Sequence, residues 1–240
     1  MKENSKNLEI IRIKEEYKRR DNKIPQDFYS LKHPANLYFY IQRFRYLIKF
    51  LKKENLFPLE DKLILDIGCG CGDWLVDFLK LGAEQKNLYG IDLLDTKIKV
   101  AKERLPFANL IVEDASTLPY KDNNFDIVLQ ATVFTSILDY NLKKAIAKEM
   151  LRVLKPTGII IWYDFLYNNP FNKNVKGIKK KEISSLFLNC KIKLTKITLA
   201  PPIARILANY SYLACYLLEN LKFLNTHYFG LIKKQDGKYK

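Results

Sequence analysis

Residues 66–72 read Asp66-Ile67-Gly68-Cys69-Gly70-Cys71-Gly72. Before this run, Lys62 to Ile67 reads as a short buried strand. After it, Trp74, Leu75, Phe78 and Leu79 recur at helical spacing. A strand that delivers glycines into the start of a helix lets the backbone approach a ligand closely. Three glycines at alternate positions suit many nucleotide-like ligands, so the neighbours narrow the choice. A dinucleotide fingerprint needs glycine where Asp73 stands, and the Gly-Lys-Ser/Thr ending of a phosphate-binding loop is missing. Asp66, just before the first glycine, repels a pyrophosphate and suits an ammonium or sulfonium group.

Outward from the loop, strands and helices alternate. Gly82 stands where a helix cap is expected. Leu88 to Ile91 reads as a second strand, and Asp95 as the cap of a helix carrying Ile98, Ala101 and Leu105, stopped by Pro106. Leu110 to Val112 and Phe125 to Leu129 read as further strands. A helix over Leu142 to Leu154 leads through Lys155-Pro156-Thr157-Gly158 into the strand Ile159 to Phe165. This alternation predicts an α/β fold: a Rossmann-like, seven-stranded, mostly parallel sheet with helices on both faces. We divide a single 1–240 domain into an N-terminal helical arm (1–57), a cofactor-binding core (58–166) and a substrate-side region (167–240). The arm carries a helix over Asn36 to Glu54, preceded by a polar-aromatic stretch with Tyr17, Arg19, Arg20, Phe28, Tyr29 and His33. The last region reads as a loop, a short helix near Lys180 to Leu188, and a strand Lys191 to Leu199. That strand's alternation slips near Thr195, which suggests a bulge. A largely apolar helix opened by Pro201-Pro202 follows to about Leu224, and then a closing strand from His227 to Ile232.

Carboxylates recur at the ends of the first three strands. Asp92 follows the second, where an acidic residue can accept both hydroxyls of a ribose, and Asp114 follows the third with Ala115 behind it. Ligands on open α/β sheets lie beyond the carboxyl ends of the strands, so Asp66, Asp92 and Asp114 share one edge. Each alone reads equally well as a loop-start aspartate.

The segments LDIGCGCGDWL, YGIDLL, EDASTLPYKDNNFDIVLQATVF and EMLRVLKPTGIIIW resemble, in order and spacing, the motifs of class I S-adenosylmethionine-dependent methyltransferases. The nearest branch is the type 11 group that includes quinone-biosynthesis methyltransferases. The resemblance covers about Lys62 to Phe165. It implies S-adenosylmethionine as cofactor, held at its methionine end by Asp66 and the backbone of Gly68, Cys69, Gly70 and Gly72. Asp92, with Leu93 beside it, would bind the ribose. Asp114 and Ala115 would read the adenine, and Gln130 would form the floor beneath the sulfonium. It also implies an antiparallel last strand. The flanking segments IPQDFYSLKHPANLY and LAPPIARIL…THYFGLIKK are similar to methyltransferases of bacterial surface-polysaccharide biosynthesis.

With an antiparallel last strand, His227 starts at the active edge, where a neutral-range imidazole can deprotonate a sugar hydroxyl; the alternative is a hydrogen-bonded edge histidine. Asp164, Tyr167 and His33 are further substrate-side candidates, and the helix Ile203 to Leu224 is a candidate lid. Asn168-Asn169-Pro170-Phe171 superficially matches the motif of amino-methylating DNA enzymes, but it lacks the second proline and follows the wrong strand, so it reads as a turn.

The formal net charge of +15 favours an anionic partner: nucleic acid, a phosphorylated metabolite or a membrane surface. Its alternative is a lysine-rich composition with no such site. Cys69, Cys71, Cys190 and Cys215 form neither a disulfide nor a zinc pattern, and the charged N-terminus lacks an apolar signal region, so the expected compartment is the cytoplasm. Disorder is expected in the first few residues and the Lys-rich tail. The leading expectation is a methyltransferase, acting by O-methylation on a small-molecule or saccharide acceptor. The alternatives are a nucleic-acid methyltransferase and a non-catalytic S-adenosylmethionine-binding domain.

Overall fold

The computed structural model describes residues 2–25, 27–169 and 172–235, with side chains from residue 5 onward. Two helices precede the sheet, α1 (Lys2–Lys23) and α2 (Pro34–Lys53). There follow β1 (Ile64–Ile67), α3 (Asp73–Lys80), β2 (Leu88–Asp92), α4 (Asp95–Arg104), β3 (Asn109–Val112), β4 (Phe125–Ala131), α5 (Tyr140–Val153) and β5 (Leu154–Phe165). The chain continues through α6 (Lys180–Leu186), β6 (Cys190–Leu199), α7 (Pro201–Leu207), α8 (Tyr212–Glu219) and β7 (Asn225–Lys234). The seven strands lie in the order β3-β2-β1-β4-β5-β7-β6. Pairings among β1 to β5 are parallel, and β7 runs antiparallel to both β5 and β6. The fold class is therefore the one the alternation predicted, and the start of β7 lies at the edge where β1 to β5 end.

Strand periodicity sorts the core onto the two faces. Leu65, Ile67, Val128 and Ile160 pack with Ile146 and Met150 of α5 and Ile183 of α6. Ile64, Ile127, Leu129 and Ile161 pack with Leu47 and Leu51 of α2, Phe78 of α3 and Ala101 of α4. Burying each of these large apolar side chains contributes roughly 1.5–3 kcal/mol. Gly82 ends α3 at φ 97°, with its N–H donating to the Leu79 carbonyl and that of Ala83 to Phe78. This is the Schellman pattern that a glycine just past a helix permits.

Several local expectations are corrected. The N-terminal arm is helical over Lys2–Lys23, and a loop with Phe28, Tyr29 and His33 joins it to α2; the tail beyond residue 235 lies outside the described residues. The apolar helix expected to run to Leu224 is broken into α7 and α8. Asn209 turns its amide back onto the Arg205 carbonyl, and Ser211 accepts from the Ala214 N–H to cap a new helix. Such side chains offer the backbone an alternative to continued helix. The β6–β7 register runs without a bulge past Thr195. The alternation fails instead because Ile197, Thr198 and Leu199 are all buried. Thr198 is left-handed (φ 67°) and its N–H donates to Gln42 Oε1 of α2 at 2.8 Å. Asp95 is the first residue inside α4, capped by no side chain, and pairs with Lys99 at 2.7 Å.

Candidate active site

The three alternate glycines are each required for a different reason. Gly68, Gly70 and Gly72 have φ of 68°, 53° and 80°, a region that side-chain-bearing residues rarely adopt. A Cβ on Gly68 would lie 2.5 Å from Val133 Cγ2, and one on Gly72 would press on Leu105 and Ala101 of α4. A Cβ on Gly70 would meet no protein atom within 4 Å, so that glycine faces open space. The loop's N–H groups do not point there. Gly68 and Cys69 donate to the Ile91 carbonyl at 2.7 and 3.0 Å, Gly70 to Asp92 Oδ2 at 2.9 Å, and Gly72 to the Cys69 carbonyl at 2.9 Å. A phosphate-gripping loop needs those donors free. Here they tie the loop to β2, and the Cys69 side chain is buried away from the cleft, 2.8 Å from where a Cβ on Gly90 would sit.

Asp66 is 1% exposed and neither carboxylate oxygen has a hydrogen-bond partner. Burial, then the neighbouring Asp92 charge, push its carboxyl well above the usual range, while Arg43 pulls it down. An uncompensated buried carboxylate is costly, so the position is poised for a cation. Arg43 of α2 has its own unpartnered buried Nε; it lies 4.2 Å over the Trp74 ring and donates to Asp77 Oδ2 at 2.9 Å. A carboxylate and a guanidinium with spare capacity, brought together by β1 and α2, match the ammonium and carboxylate of an amino-acid moiety.

A cleft of about 240 Å³ runs along the strand ends and is lined by Gly68, Gly70, Asp92, Leu93, Asp114 and Ala115 among others. Asp92 accepts from the N–H groups of Gly70 and Leu94, each at 2.9 Å. Burial raises its carboxyl against the lowering effect of those bonds. Asp114 is bound by Ser116 and by Lys6 of α1 at 2.6 Å, which outweigh burial and hold its carboxyl below the usual range. Ile10, Ile13 and Tyr17 of α1 form the opposite wall. The helix is stitched across the cleft by Arg12 donating to the Ser136 carbonyl at 2.6 Å, Asp21 pairing with Lys97 at 2.9 Å, and Glu16 accepting from Asn174 at 2.7 Å. The cleft is thus covered from the N-terminus, whereas α7 flanks a different cavity.

That second cavity, of about 720 Å³, is lined by aromatic rings (Tyr17, Phe28, Tyr29, Phe39, Tyr163, Tyr167) and by His227. Arg19, Arg20, Lys23, Lys176 and Arg205 also line it, with no carboxylate among the described lining residues. The two cavities share Tyr17, Thr132 and Ser136 and so meet there. Thr132 is left-handed at φ 59°, a strained conformation for a β-branched residue, fixed by its N–H donating to the Tyr163 carbonyl at 2.8 Å.

His227 is 4% exposed, stacked on Tyr163 with ring centroids 4.7 Å apart. Burial lowers its pKa to about 3, so the ring is neutral near pH 7. Thr226 has one hydroxyl proton, which it donates to the Thr198 carbonyl at 3.1 Å. Its oxygen therefore accepts from His227 Nδ1–H at 2.9 Å, which fixes the tautomer and makes Nε2 the lone-pair nitrogen.

The other substrate-side candidates separate. Tyr167 lines the second cavity under Lys179, whose Nζ is 4.7 Å from the ring centre. Asp164 is fully buried and does not line it; it accepts from Thr135 Oγ1 at 2.6 Å, and burial raises its carboxyl to about 7. It positions Thr135, which does line the cavity. His33 is exposed at the start of α2, 3.7 Å from Asp27, and lines neither cavity. Gln130 is fully buried with its amide engaged by the Val133 N–H and the Tyr163 carbonyl, and the wall is made instead by Ala131, Thr132 and Val133. Asn168 accepts from the Gly177 N–H at 3.0 Å, while Pro170 and Phe171 lie outside the described residues. Arg43, Tyr17, Thr132 and Ser136 were given no site role from sequence, although Tyr17 was read as part of the polar-aromatic arm. Only Tyr17 carried a signal, the spacing of Ile10, Ile13 and Tyr17 along one helical face.

Comparison with known proteins meets this geometry at the cofactor side. Residues 65–162 match the family described as a methyltransferase domain. Demethylmenaquinone methyltransferase of Staphylococcus aureus is 35% identical over 100 residues, covering 40% of this chain and 40% of that protein. The chain thus matches well under half the length of these curated relatives. An S-adenosylmethionine-dependent methyltransferase structure from Clostridium acetobutylicum aligns over 81% of this chain and 92% of its own, with TM-score 0.60 and 15% identity. The cyclase SpnF aligns over 80% and 82%, with TM-score 0.58 and 16% identity, so the same fold also carries other chemistry. The buried unpartnered Asp66, the open face of Gly70 and Asp92 at the second strand end fit S-adenosylmethionine, the cofactor this family implies. Residues 65–162 are thus similar to the methyltransferase-domain family, on a fold shared with S-adenosylmethionine-dependent methyltransferase structures.

Proposed function

We propose that the chain transfers a methyl group to an oxygen of a small-molecule acceptor, with a saccharide hydroxyl the favoured class. The observation that carries this reading is the meeting of the two cavities at Tyr17, Thr132 and Ser136, one bearing carboxylates and the other a neutral imidazole. Asp66 and Arg43 would hold the methionine end of the cofactor, Asp92 the ribose hydroxyls, and Ala115 and Asp114 the adenine. The bound cofactor supplies an electrophilic methyl on a sulfonium. The protein's part is alignment and removal of water, with Tyr17 and Val133 closing the cleft. His227 Nε2 would accept the acceptor's hydroxyl proton. Its low basicity suffices, because the protonated ether formed on methylation is a far stronger acid than an imidazolium of pKa about 3. Aromatic faces suit the C–H faces of a sugar ring.

The relatives named for demethylmenaquinone share the core, yet only Thr132, Thr135 and Ser136 of that core line the second cavity. Their acceptor is for this reason not carried over. A nucleic-acid acceptor is favoured by the basic lining and the +15 charge, and it predicts binding that weakens steeply with salt. Cytoplasmic residence goes with the reading, since the four cysteines form no disulfide.

The test is transfer of label from methyl-labelled S-adenosylmethionine to a panel of saccharides, quinols and RNA, beside calorimetric titration with S-adenosylhomocysteine. Saturable binding and label on a saccharide oxygen are expected. A folded protein that binds neither form of the cofactor sinks the reading, and label on carbon or RNA redirects it.

A further inference from the structure

The α7–α8 unit is fastened from within and bare outside. Ala204, Ala208 and Cys215 pack on Ala35, Tyr38 and Leu199. The buried Glu219 accepts from Tyr38, Gln42 and Arg45 of α2. Tyr212 ties the start of α8 to the Pro34 carbonyl at 3.0 Å. Outward, Ile206, Tyr210, Leu213, Leu217 and Phe223 are each between 60% and 85% exposed, and Tyr216 and Leu221 are close to half exposed. So many large apolar side chains within one short segment exceed the scatter normal on a soluble surface. Leu213 and Leu217, four residues apart within α8, lie on one side of it.

Charge selects the occupant. The only carboxylate from Pro201 to Leu224 is Glu219, which is buried and paired. The cations Arg205 and Lys222 flank the apolar residues, and Lys49 joins them at the ring of Tyr46, whose hydroxyl accepts from Lys222. Arg205 also lies 4.7 Å over Phe28, on the loop that carries exposed Tyr29, Leu31 and Lys32, against the single exposed carboxylate Asp27. Aliphatic side chains inside a margin of tyrosine and basic residues match the depth profile of a bilayer surface with anionic headgroups. A second copy of a chain with net charge +15 would bring like charge to the same face.

We propose that the outer face of α7, α8 and the turn to β7 docks on an anionic lipid bilayer, in the interfacial plane. Among the described residues no helix is long and apolar enough to cross one. Pro201 and Arg205 of the same unit line the second cavity, so docking sets one margin of that cavity at the headgroups. The surface stands on exposure and charge, and its test does not depend on methyl transfer.

The experiment is co-sedimentation of the full chain with vesicles of phosphatidylcholine alone or with phosphatidylglycerol, at low and high salt, with light scattering of the protein alone. Binding to the anionic vesicles is expected. The Leu213→Ser/Leu217→Ser variant should lose at least tenfold in partition, and Arg205→Glu/Lys222→Glu a comparable amount, both with unchanged thermal melting. Absent binding to anionic vesicles at low salt overturns the proposal. So does binding that survives the serine substitutions, or a dimer that those substitutions convert to monomer.

Discussion

The cleft proposed for the cofactor and the cavity proposed for the acceptor open at the same end of the sheet but are assembled differently. The cleft draws Asp92 from the last residue of β2 and Asp114 from just past β3, with Asp66 buried near the end of β1. The cavity gathers Arg20 from α1, Phe39 from α2, Tyr163 from β5, Arg205 from α7 and His227 from β7. One site is local in sequence and repeats with the βα period; the other exists only after distant segments have packed. Changes on the cofactor side should therefore act on cofactor affinity alone, and changes on the other side on turnover alone, if the two halves are separable.

The largest effect is expected at Asp92. Two charge-assisted hydrogen bonds to ribose hydroxyls are worth roughly 1.5–3 kcal/mol each. Asp92→Ala also frees the Gly70 N–H that the carboxylate now holds. Calorimetry should show S-adenosylhomocysteine affinity falling by about 10²–10⁴-fold, given those energies. Undiminished affinity would remove Asp92 from the cofactor side and break the comparison at its firmest point.

His227→Phe is the converse. It keeps a ring stacked on Tyr163 and removes Nε2 along with the Nδ1–H bond to Thr226, so kcat should fall by about 10²-fold while S-adenosylhomocysteine affinity is unchanged. The same variant has a pH signature. The folded pKa of about 3 lies below the ordinary 6.5, so between those values the unfolded chain binds a proton that the folded one does not. The contribution is whole above pH 6.5 and is lost as pH falls toward 3. Urea denaturation at pH 7 and pH 4.5 should show wild type losing more stability on acidification than His227→Phe. Equal losses would mean that burial does not lower the pKa of the ring in the folded protein.

These differences explain what could be read before folding. Glycines, strand-end aspartates and the alternation of strands with helices are local signals, and they specified the sheet and the cofactor side. Arg43 could not be recognised among the basic residues of α2, because its meaning depends on Trp74 and Asp66 arriving beneath it. Gln130 and His33 were chosen by position alone. The sequence carried no sign that the Gln130 amide would be spent on Val133, or that His33 would end at the exposed mouth of a helix. The α7–α8 break depends on Asn209 and Ser211 competing for backbone, a contest that the apolar run around them concealed.

The glycine loop offers a finer division. Gly68→Ala must displace Val133 from 2.5 Å as well as accept a left-handed φ, and should cost about 2–4 kcal/mol of stability. Gly70→Ala meets no protein atom within 4 Å and should cost only about 1–2 kcal/mol, from its φ alone. Its methyl nonetheless enters the space assigned to the cofactor, so affinity should drop at least about tenfold, or 1.4 kcal/mol. Thermal melts paired with calorimetry separate the two. A Gly70→Ala protein that binds as wild type would place the ligand elsewhere in the cleft.

The smallest effect is expected where α1 crosses the cleft. Lys6 holds Asp114 at 2.6 Å, but the ammonium is a third exposed, so the pair should contribute at most about 1 kcal/mol and less at high salt. Lys6→Met removes one tie of the helix and frees the carboxylate that would read the adenine. Those two consequences oppose each other at equilibrium, so affinity should change by no more than about threefold, under 1 kcal/mol. They do not oppose each other in rate: a looser helix lets the ligand both enter and leave sooner. Stopped-flow mixing with S-adenosylhomocysteine should show association and dissociation accelerated together, with kcat unaltered if product release is not limiting. If both rates stay at the wild-type values, α1 is a fixed wall of the cleft, and the ligand enters from the side of the acceptor cavity, past Tyr17 and Ser136.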